Sequence, residues 1–314
     1  MQRFNILFLG GSKRISLANY FKDAAKELNL KTSIFSYELR GNHPFQEVGK
    51  VIIGMKWNSR NIYTHLLNII KKKRINLVVP CTDQSVLLLP KLNILNGKNL
   101  CVTSSLEINK TFFKKIDANK YFENNKFGLI PSIKKNSYPK FIKPINGSSS
   151  INTHKISNKF EFNFFKKKYD LNKFIIQEFI DGQEYSVDAY VTQNNLIAGI
   201  VPRLRISTSG GESTVTKSVK NKSLLKIVKK IIIKSELKGP LTLQFIKRKN
   251  KYFFIEINTR LAGGVGCSIN SNFNIPKIMI KDILNKKILP LKSFQETLTY
   301  KFYAETSSQK KYNN

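Results

Sequence analysis

The first hundred residues alternate short apolar segments with segments of helical apolar spacing, and this alternation constrains the fold more than any other feature. The segments are predicted as strand 4–9, helix 15–28, strand 31–37, helix 62–72, strand 76–80 and helix 83–95. Strands separated by helices form parallel sheets, so residues 1–105 are expected to build an open, mostly parallel α/β layer. The turn after the first strand, Gly10-Gly11-Ser12, lacks the GxGxxG spacing of a dinucleotide site and is interpreted as a simple connection.

The chain carries a formal net charge of +34, from 54 basic and 20 acidic residues. Such a field can attract nucleic acid or an anionic membrane. The basic residues are spread along the chain, however, and form no single patch interleaved with aromatic residues. We therefore favour a lysine-rich composition, as expected from an AT-rich genome, and disfavour nucleic acid as a partner.

The rest of the composition is that of a globular protein, since 41% of the 314 residues are hydrophobic. Apolar runs stay below the roughly 18 residues of a membrane span, so no membrane is expected as a partner. The three cysteines are scattered and predict neither a disulfide framework nor a zinc site. A reducing, cytoplasmic location fits this pattern best.

A segment near the carboxyl end, residues 253–264, combines oxygen ligands with an arginine. Glu256 and Asn258 are two apart on strand-forming sequence, so both side chains leave the same face. Carboxylate and amide oxygens suit Mg²⁺, and the guanidinium of Arg260 can bind phosphate oxygens. The segment predicts a magnesium-nucleotide site; an edge strand with exposed polar side chains is the alternative interpretation.

A second segment joins a strand lysine to a loop of glycine and serine. Lys143 is followed by Gly147, Ser148, Ser149 and Ser150. A lysine ammonium can sit against phosphate oxygens while such a loop offers unhindered backbone N–H groups and hydroxyls. The loop could then close over a triphosphate. An ordinary surface turn is the alternative.

A third segment, residues 174–191, is predicted as two strands joined by a glycine turn, as in a hairpin. Glu178 and the backbone of Phe179 and Ile180 can present hydrogen-bonding groups to adenine, and Glu184 can accept hydrogen bonds from ribose hydroxyls. The alternative is an exposed acidic hairpin with no ligand.

The order of these three segments resembles the ATP-grasp superfamily. In order along the chain, the pattern consists of the strand lysine Lys143 with its Gly-Ser loop, then Gln-Glu followed by Gly-x-Glu at 177–184. Gln244 and then Glu-x-Asn-x-Arg at 256–260 complete it. More narrowly, it is similar to the carbamoyl-phosphate-synthase large-chain-like branch, whose single-module members act as ATP-dependent ligases. The resemblance covers essentially the whole chain and implies an α/β protein, α+β in its C-terminal part, with an ATP-grasp fold behind an open parallel pre-domain. The implied domains are 1–105 (pre-domain), 106–180 (linker helix and small lid) and 181–314 (catalytic subdomain).

The resemblance also implies a role for each motif residue. The implied ATP-binding residues are Lys143, Gly147, Ser148, Ser149 and Ser150 at the phosphates, Glu178, Phe179 and Ile180 at adenine, and Glu184 at the ribose. The implied ligands of Mg²⁺, or of Mn²⁺ in its place, are Gln244, Glu256 and Asn258. Arg260 would stabilise the transferring phosphoryl group or the acyl phosphate, and Arg260 and Asn258 are the implied catalytic residues.

Two lysines compete for a further phosphate contact, which the family places before a Gly-x-x-Pro element, here Gly128 to Pro131. Lys115 suits the helical apolar spacing and is favoured. Lys110 keeps a more usual distance in sequence from Lys143.

For the substrate, Arg203 and Arg205 alternate with Leu204 on a predicted strand and share one face. In the resembling family this region faces the acyl substrate, so one arginine could hold a carboxylate bidentately. Basic residues on a solvated strand are the alternative.

Together these expectations describe a ligase that uses ATP and Mg²⁺, activates a carboxylate as an acyl phosphate and forms a C–N bond with an amine. A nucleotide-binding regulatory protein without turnover and a basic nucleic-acid-binding protein are the competing hypotheses. The identity of the substrates is left open, and so is the oligomeric state, a homodimer included.

Overall fold

A computed structural model of the chain describes residues 1–132, 137–145, 152–302 and 304–305. Within these residues, no helix is both long enough and apolar enough to span a membrane. The strands are β1 (Gln2–Arg3), β2 (Asn5–Leu9), β3 (Leu30–Lys31), β4 (Ile34–Glu38), β5 (Lys50–Ile53), β6 (Ile75–Pro80), β7 (Lys140–Pro144), β8 (His154–Ile156), β9 (Phe174–Glu178), β10 (Gln183–Val191), β11 (Ile197–Ser209), β12 (Glu212–Ser218), β13 (Gly239–Arg248), β14 (Lys251–Asn258) and β15 (Leu298–Tyr300). The α-helices are α1 (Ile15–Glu27), α2 (Ile62–Lys73), α3 (Asp83–Val86), α4 (Leu89–Asn96), α5 (Leu106–Phe113), α6 (Lys115–Asn124), α7 (Lys159–Lys168), α8 (Lys222–Lys234), α9 (Gly266–Asn270) and α10 (Ile275–Ile283). Short 3₁₀ helices lie at Pro44–Glu47 and Leu171–Lys173.

The amino-terminal part contains the predicted parallel sheet, with strand order β5-β4-β2-β6. The strands β2, β4 and β6 are buried on both faces, as is usual in parallel sheets, whereas the edge strand β5 is partly exposed. The predicted helix 83–95 is two helices, α3 and α4, which are separated at residues 87–88. Thr82 caps the first of them in a capping box, in which its hydroxyl accepts a hydrogen bond from the backbone of Ser85.

A small three-stranded antiparallel sheet, in the order β8-β7-β9, forms a lid with α7 packed against it. Its core is small and contains Ile142, Ile156 and Phe165. Alternation along β7 puts Ile142 on the core side and Lys143 on the opposite face. The lid therefore presents Lys143 toward the rest of the molecule.

The largest sheet is antiparallel and runs β14-β13-β10-β11-β12-β15. One face is covered by α8, whose apolar stripe of Leu224, Val228, Ile231 and Ile232 is buried. The opposite face carries the predicted metal and substrate residues. A parallel sheet followed by antiparallel sheets confirms the predicted α/β class with an α+β C-terminal part.

The predicted hairpin at 174–191 is wrong, because its two strands lie in different sheets. β9 pairs with β7 in the lid, whereas β10 pairs with β11 and β13 in the large sheet. Residues 179–182 are therefore a linker between the two sheets. At its end the chain passes so close to β13 that a Cβ at Gly182 would lie 2.3 Å from the carbonyl oxygen of Lys247, and only glycine fits.

The linker helix implied at the start of the 106–180 domain is two helices, α5 and α6. Lys114 adopts an extended conformation between α5 and α6. The predicted domain boundaries fall immediately before α5 and within the 179–182 linker, and they remain predictions.

Candidate active site

A cleft of about 230 Å³ lies between the lid and the large sheet. Its apolar walls include Phe141 from the lid and Ile246 and Ile255 from the large sheet. The cleft gathers predicted residues that are far apart in sequence: Lys115, Lys143, Glu178, Phe179, Ile180, Glu184, Arg205, Gln244 and Glu256. Gly147, Ser148, Ser149 and Ser150 lie outside the described residues.

The oxygen ligands are positioned by the pairing of β13 with β14. Gln244 lies opposite Glu256, and Thr242 lies opposite Asn258. The register shifts just beyond Gln244, since Phe245 pairs with Phe254 and leaves Ile255 as an extra residue. Such a bulge re-aims side chains, and here Ile255 and Glu256 both line the cleft.

Glu256 is the centre of a hydrogen-bonded group. Its Oε1 accepts hydrogen bonds of 2.8 Å from both the Gln244 and the Asn258 side-chain amides. The structure thus brings the three predicted metal ligands together. The shared strand face predicted this proximity for Glu256 and Asn258, and the binding of a metal by the three residues stays a prediction.

Arg260 continues this group at the end of β14. Its guanidinium donates to Asn258 Oδ1 at 3.3 Å and, through Nε, to Asp83 Oδ1 at 2.5 Å. Burial alone would lower the pKa of Arg260, but the Asp83 and Glu256 carboxylates outweigh burial and raise it. The sequence interpretation missed Asp83, although a polar residue directly after a parallel strand is a known signal for a site.

Lys143 is a buried cation that forms no ion pair with the residues the structure describes. Its side chain is 4% exposed, and within the described residues its ammonium makes no hydrogen bond or salt bridge. Burial lowers the pKa of Lys143 to about 8; the charge of Glu256 opposes this shift and that of Lys115 adds to it. A buried ammonium beside a cleft is costly unless an anion completes its environment.

Of the two competing lysines, only Lys115 lines the cleft. It begins α6, and its charge is felt at Lys143. Lys110 is exposed on α5. The geometry therefore favours Lys115, in agreement with the helical-spacing argument.

The proposed adenine and ribose residues lie on either side of the linker. Glu178 ends β9, where its carboxylate accepts a 3.4 Å hydrogen bond from the backbone of Ser132 and lies 3.8 Å from the Arg248 guanidinium. Glu184 lies 3.3 Å from Nε of Arg205 on the neighbouring strand. The structure places both carboxylates at the cleft edge.

The two candidate substrate arginines have different surroundings. Both project from the same face of β11, as predicted, but Arg203 is only 1% exposed and does not line the cleft. It donates to both oxygens of Asp188, at 2.7 and 3.1 Å, and its terminal nitrogen packs against Gly264. Arg203 is thus buried away from the cleft with its fork on Asp188, whereas Arg205 lines the cleft. Arg205 is therefore the better placed of the two, and its role toward a substrate stays a prediction.

This geometry can be compared with known proteins. The family model described as ATP-grasp in the biosynthetic pathway with Ter operon matches residues 170–305. Biotin carboxylase from Campylobacter jejuni, in complex with β,γ-ATP, is 16% identical with a TM-score of 0.71, over 93% of this chain and 73% of that one. N5-carboxyaminoimidazole synthetase from Staphylococcus aureus, complexed with ADP, is 15% identical with a TM-score of 0.72, over 92% of this chain and 80% of that one.

The chain has the ATP-grasp fold. The resemblance to this superfamily, drawn from the order of three segments, is thereby confirmed, while the carbamoyl-phosphate-synthase-like branch stays a prediction. L-amino acid ligase from Bacillus licheniformis is a further structural neighbour, 16% identical with a TM-score of 0.67, over 92% of this chain and 76% of that one. No curated protein sequence matches the chain. At such identities the structural neighbours establish the fold and leave the activity to be argued from the site.

The ATP-grasp fold implies a divalent metal, and the donors present fit one. Glu256 Oε2 takes no hydrogen bond within the described residues, and the Gln244 and Asn258 side chains lie beside the same carboxylate. Their amide oxygens accept hydrogen bonds from Arg205 and Arg260, so a metal would compete with these two arginines. The described residues contain no group of three His, Cys, Asp or Glu side chains that could hold a metal. One carboxylate with two amides suits a hard ion that shares its coordination with phosphate oxygens.

The buried Asp188–Arg203 pair predicts a large effect on stability. Thr242 and Ser268 also donate to Asp188, at 2.8 and 2.6 Å. Asp188→Ala would leave Arg203 buried without a counter-charge, so we expect the free energy of unfolding to fall by about 3–5 kcal/mol. Urea denaturation measures this change. As a control, Glu27→Ala removes an exposed ion pair with Lys277 and should cost at most about 1 kcal/mol; equal losses in the two variants would contradict the prediction.

Proposed function

We propose that the chain is an ATP- and Mg²⁺-dependent ligase that activates a carboxylate as an acyl phosphate for attack by an amine or similar nucleophile. The observation that carries the proposal is the buried ammonium of Lys143, which has no ion pair with any described residue and lies in the same cleft as Glu256 and Gln244. The lysine requires an anion, and the oxygen donors suit a metal, so a metal-bound triphosphate satisfies both.

The proposed reaction has two steps. A carboxylate oxygen of the substrate attacks the γ-phosphorus, the bond from that phosphorus to the β,γ-bridging oxygen breaks, and ADP leaves. The amine then attacks the acyl carbon, the bond from carbon to the phosphate oxygen breaks, and the amine gives up a proton as phosphate departs. Because both nucleophiles belong to substrates, the protein needs no covalent nucleophile and acts by positioning and charge stabilisation.

Each candidate residue in and beside the cleft has a place in this scheme. Lys143 and Lys115 would neutralise phosphate oxygens, and Arg260, oriented by Asp83, would face the charge that develops on the transferring group. Gln244, Glu256 and Asn258 would hold the metal, which supplies further neutralisation of the phosphates.

A screen for ADP release tests the proposal. Purified protein is incubated with ATP and Mg²⁺ against a matrix of carboxylates and amines. We expect ADP only where both a carboxylate and an amine are present, together with a condensed product visible by mass spectrometry. Tight ATP binding with no turnover across the matrix would favour the regulatory alternative, and salt-dependent nucleic-acid binding without nucleotide binding would favour the basic-protein alternative.

The pKa of Lys143 predicts how nucleotide affinity depends on pH. Phosphate binding needs the protonated ammonium, whose pKa in the free protein is about 8. Affinity for MgADP should therefore be constant below about pH 8 and fall about tenfold per pH unit above it, until the pKa of the complex, raised by the phosphates, is reached. Calorimetry across pH 7–10 measures the profile. A flat profile, or the same fall in Lys143→Met, would assign the effect to another group.

A further inference from the structure

Arg205 contacts Gln244 and Glu184, which the proposed function assigns to the metal and to the ribose. Its Nη1 donates to the side-chain oxygen of Gln244 at 2.9 Å, and its Nε lies 3.3 Å from Glu184 Oε2. Its Nη2 donates to the carbonyl of Gly211 at 2.8 Å, and the side chain is 8% exposed. Both Nη atoms are thus hydrogen-bonded, whereas the buried Nε has an ion-pair contact with Glu184 but no hydrogen bond within the described residues.

These contacts compete with a bound metal nucleotide. Gln244 has a single oxygen with which to hold a metal, and Arg205 donates to it. A flip of the Gln244 amide would not free the oxygen at low cost. Its NH2 group would then face the guanidinium of Arg205, and two hydrogen-bond donors would be opposed. Glu184 is similarly shared between the arginine and the proposed ribose. One side chain therefore covers both the ribose end and the metal end of the cleft.

We propose that Mg-ATP displaces Arg205 from Gln244 and Glu184, and that the released guanidinium then binds the carboxylate of the acceptor substrate. The nucleotide consequently binds first and creates the carboxylate site. This inference rests on the proposed function, and it adds an order of binding and a residue that enforces it.

The local backbone gives Arg205 room to move. The pairing of β11 with β12 is regular up to Arg205 and shifts register between Arg205 and Ser207. Residues 206–209 beyond it are exposed, and the strand ends in a turn whose Gly210 and Gly211 both have positive φ, +54° and +76°. Arg205 is thus the last residue of the firmly paired part of β11, whereas Arg203, deeper in the sheet, is fixed by Asp188. Once released, the planar fork of Arg205 can hold a carboxylate with two parallel hydrogen bonds.

The first experiment measures nucleotide affinity when the competing arginine is removed. We expect Arg205→Met to bind the magnesium complex of the non-hydrolysable analogue AMP-PNP about tenfold more tightly than the natural chain, because one charge-assisted hydrogen bond no longer has to break. Isothermal calorimetry gives the affinity, and electron paramagnetic resonance with Mn²⁺ and AMP-PNP gives the metal affinity, which should rise in parallel. An arginine that simply bound phosphates would give weaker binding, so equal or weaker affinity overturns the inference.

Two further variants keep this test interpretable. Arg205→Lys retains the charge but cannot make three separate contacts, so we expect a smaller gain in nucleotide affinity, of about threefold. This variant replaces Arg205→Met in the test if the methionine variant fails to fold. Arg60→Met removes a matched charge from an exposed position in the pre-domain and should leave affinity unchanged. An equal gain in Arg60→Met would trace the effect to net charge and overturn the inference.

The second experiment tests the order of binding, with a carboxylate identified by the ADP-release screen. We expect the natural chain to bind it only when Mg-AMP-PNP is present, and Arg205→Met to have a KM for it at least tenfold higher. Equal binding with and without the nucleotide would overturn the order. If the unsubstituted protein binds no nucleotide, the proposed function itself is refuted. If it binds the nucleotide but Arg205→Met has no higher affinity, only the displacement of the arginine is refuted.

Discussion

Replacing Glu256 with alanine is expected to reduce the rate of ADP formation by about 10³-fold while the protein stays folded. Glu256 supplies the only charge among the three proposed metal ligands, and its Oε1 anchors both the Gln244 and the Asn258 amides. Its removal should therefore weaken metal binding and leave the two remaining ligands without their anchor. The charge that develops during phosphoryl transfer would then be less well stabilised. Initial rates with the substrates found by the screen measure the loss.

Two comparisons separate this effect from damage to the fold. Asn258→Ala keeps the carboxylate and should lose less activity than Glu256→Ala, whereas Glu27→Ala, an exposed acid on α1, should retain the natural rate. Circular dichroism and urea midpoints report on the fold. ADP formation at the natural rate in both Glu256→Ala and Asn258→Ala would refute the assignment of the metal site.

Lys143→Met is expected to weaken nucleotide binding by about 100-fold and at the same time to stabilise the free protein. The affinity falls because the charge-assisted contacts to phosphate are lost. The free energy of unfolding rises, by on the order of 1–3 kcal/mol at pH 7, because methionine fills a similar volume without a buried charge. Calorimetry with MgADP and urea denaturation measure the two changes.

The opposite signs of these two changes distinguish a ligand-binding lysine from a structural one. The folded-state pKa of about 8 lies below the value of a free lysine, so the cost of the buried charge is greatest below pH 8 and declines as the pH rises toward about 10.4. The stabilising effect of Lys143→Met should decline over the same range. Lys159→Met, at an exposed position that begins α7, should change neither quantity; a loss of stability in Lys143→Met would contradict the prediction.

The parts of the site that lie within one strand could be predicted from the sequence. Glu256 and Asn258 are two residues apart, and strand geometry alone puts them on one face. The alternation of strands and helices likewise predicted the parallel sheet, because burial on both faces leaves a strong apolar pattern. The Lys143 segment became informative only in combination with the later motifs, whose order carries the resemblance.

The errors arose where distant residues decide the outcome. A glycine turn between two strand patterns is typical of a hairpin, yet β9 and β10 take partners in different sheets, which local sequence cannot specify. Arg203 and Arg205 are two residues apart on one predicted strand, and the sequence does not show which of them is buried. The ion pair of Arg203 with the buried Asp188 is what distinguishes their surroundings. Arg260 and Asp83 are 177 residues apart, so their contact is a property of the tertiary fold.

The contact between Asp83 and Arg260 also limits how this protein can be recombined with its structural relatives. The two side chains come from regions that would be joined separately in a chimera, since Asp83 begins α3 behind the parallel sheet and Arg260 follows β14. A transplanted amino-terminal region would have to present a carboxylate at the same point, or the arginine would lose its orientation. The first hundred residues therefore contribute a side chain to the candidate site, and we expect their exchange alone to remove the contact that orients Arg260.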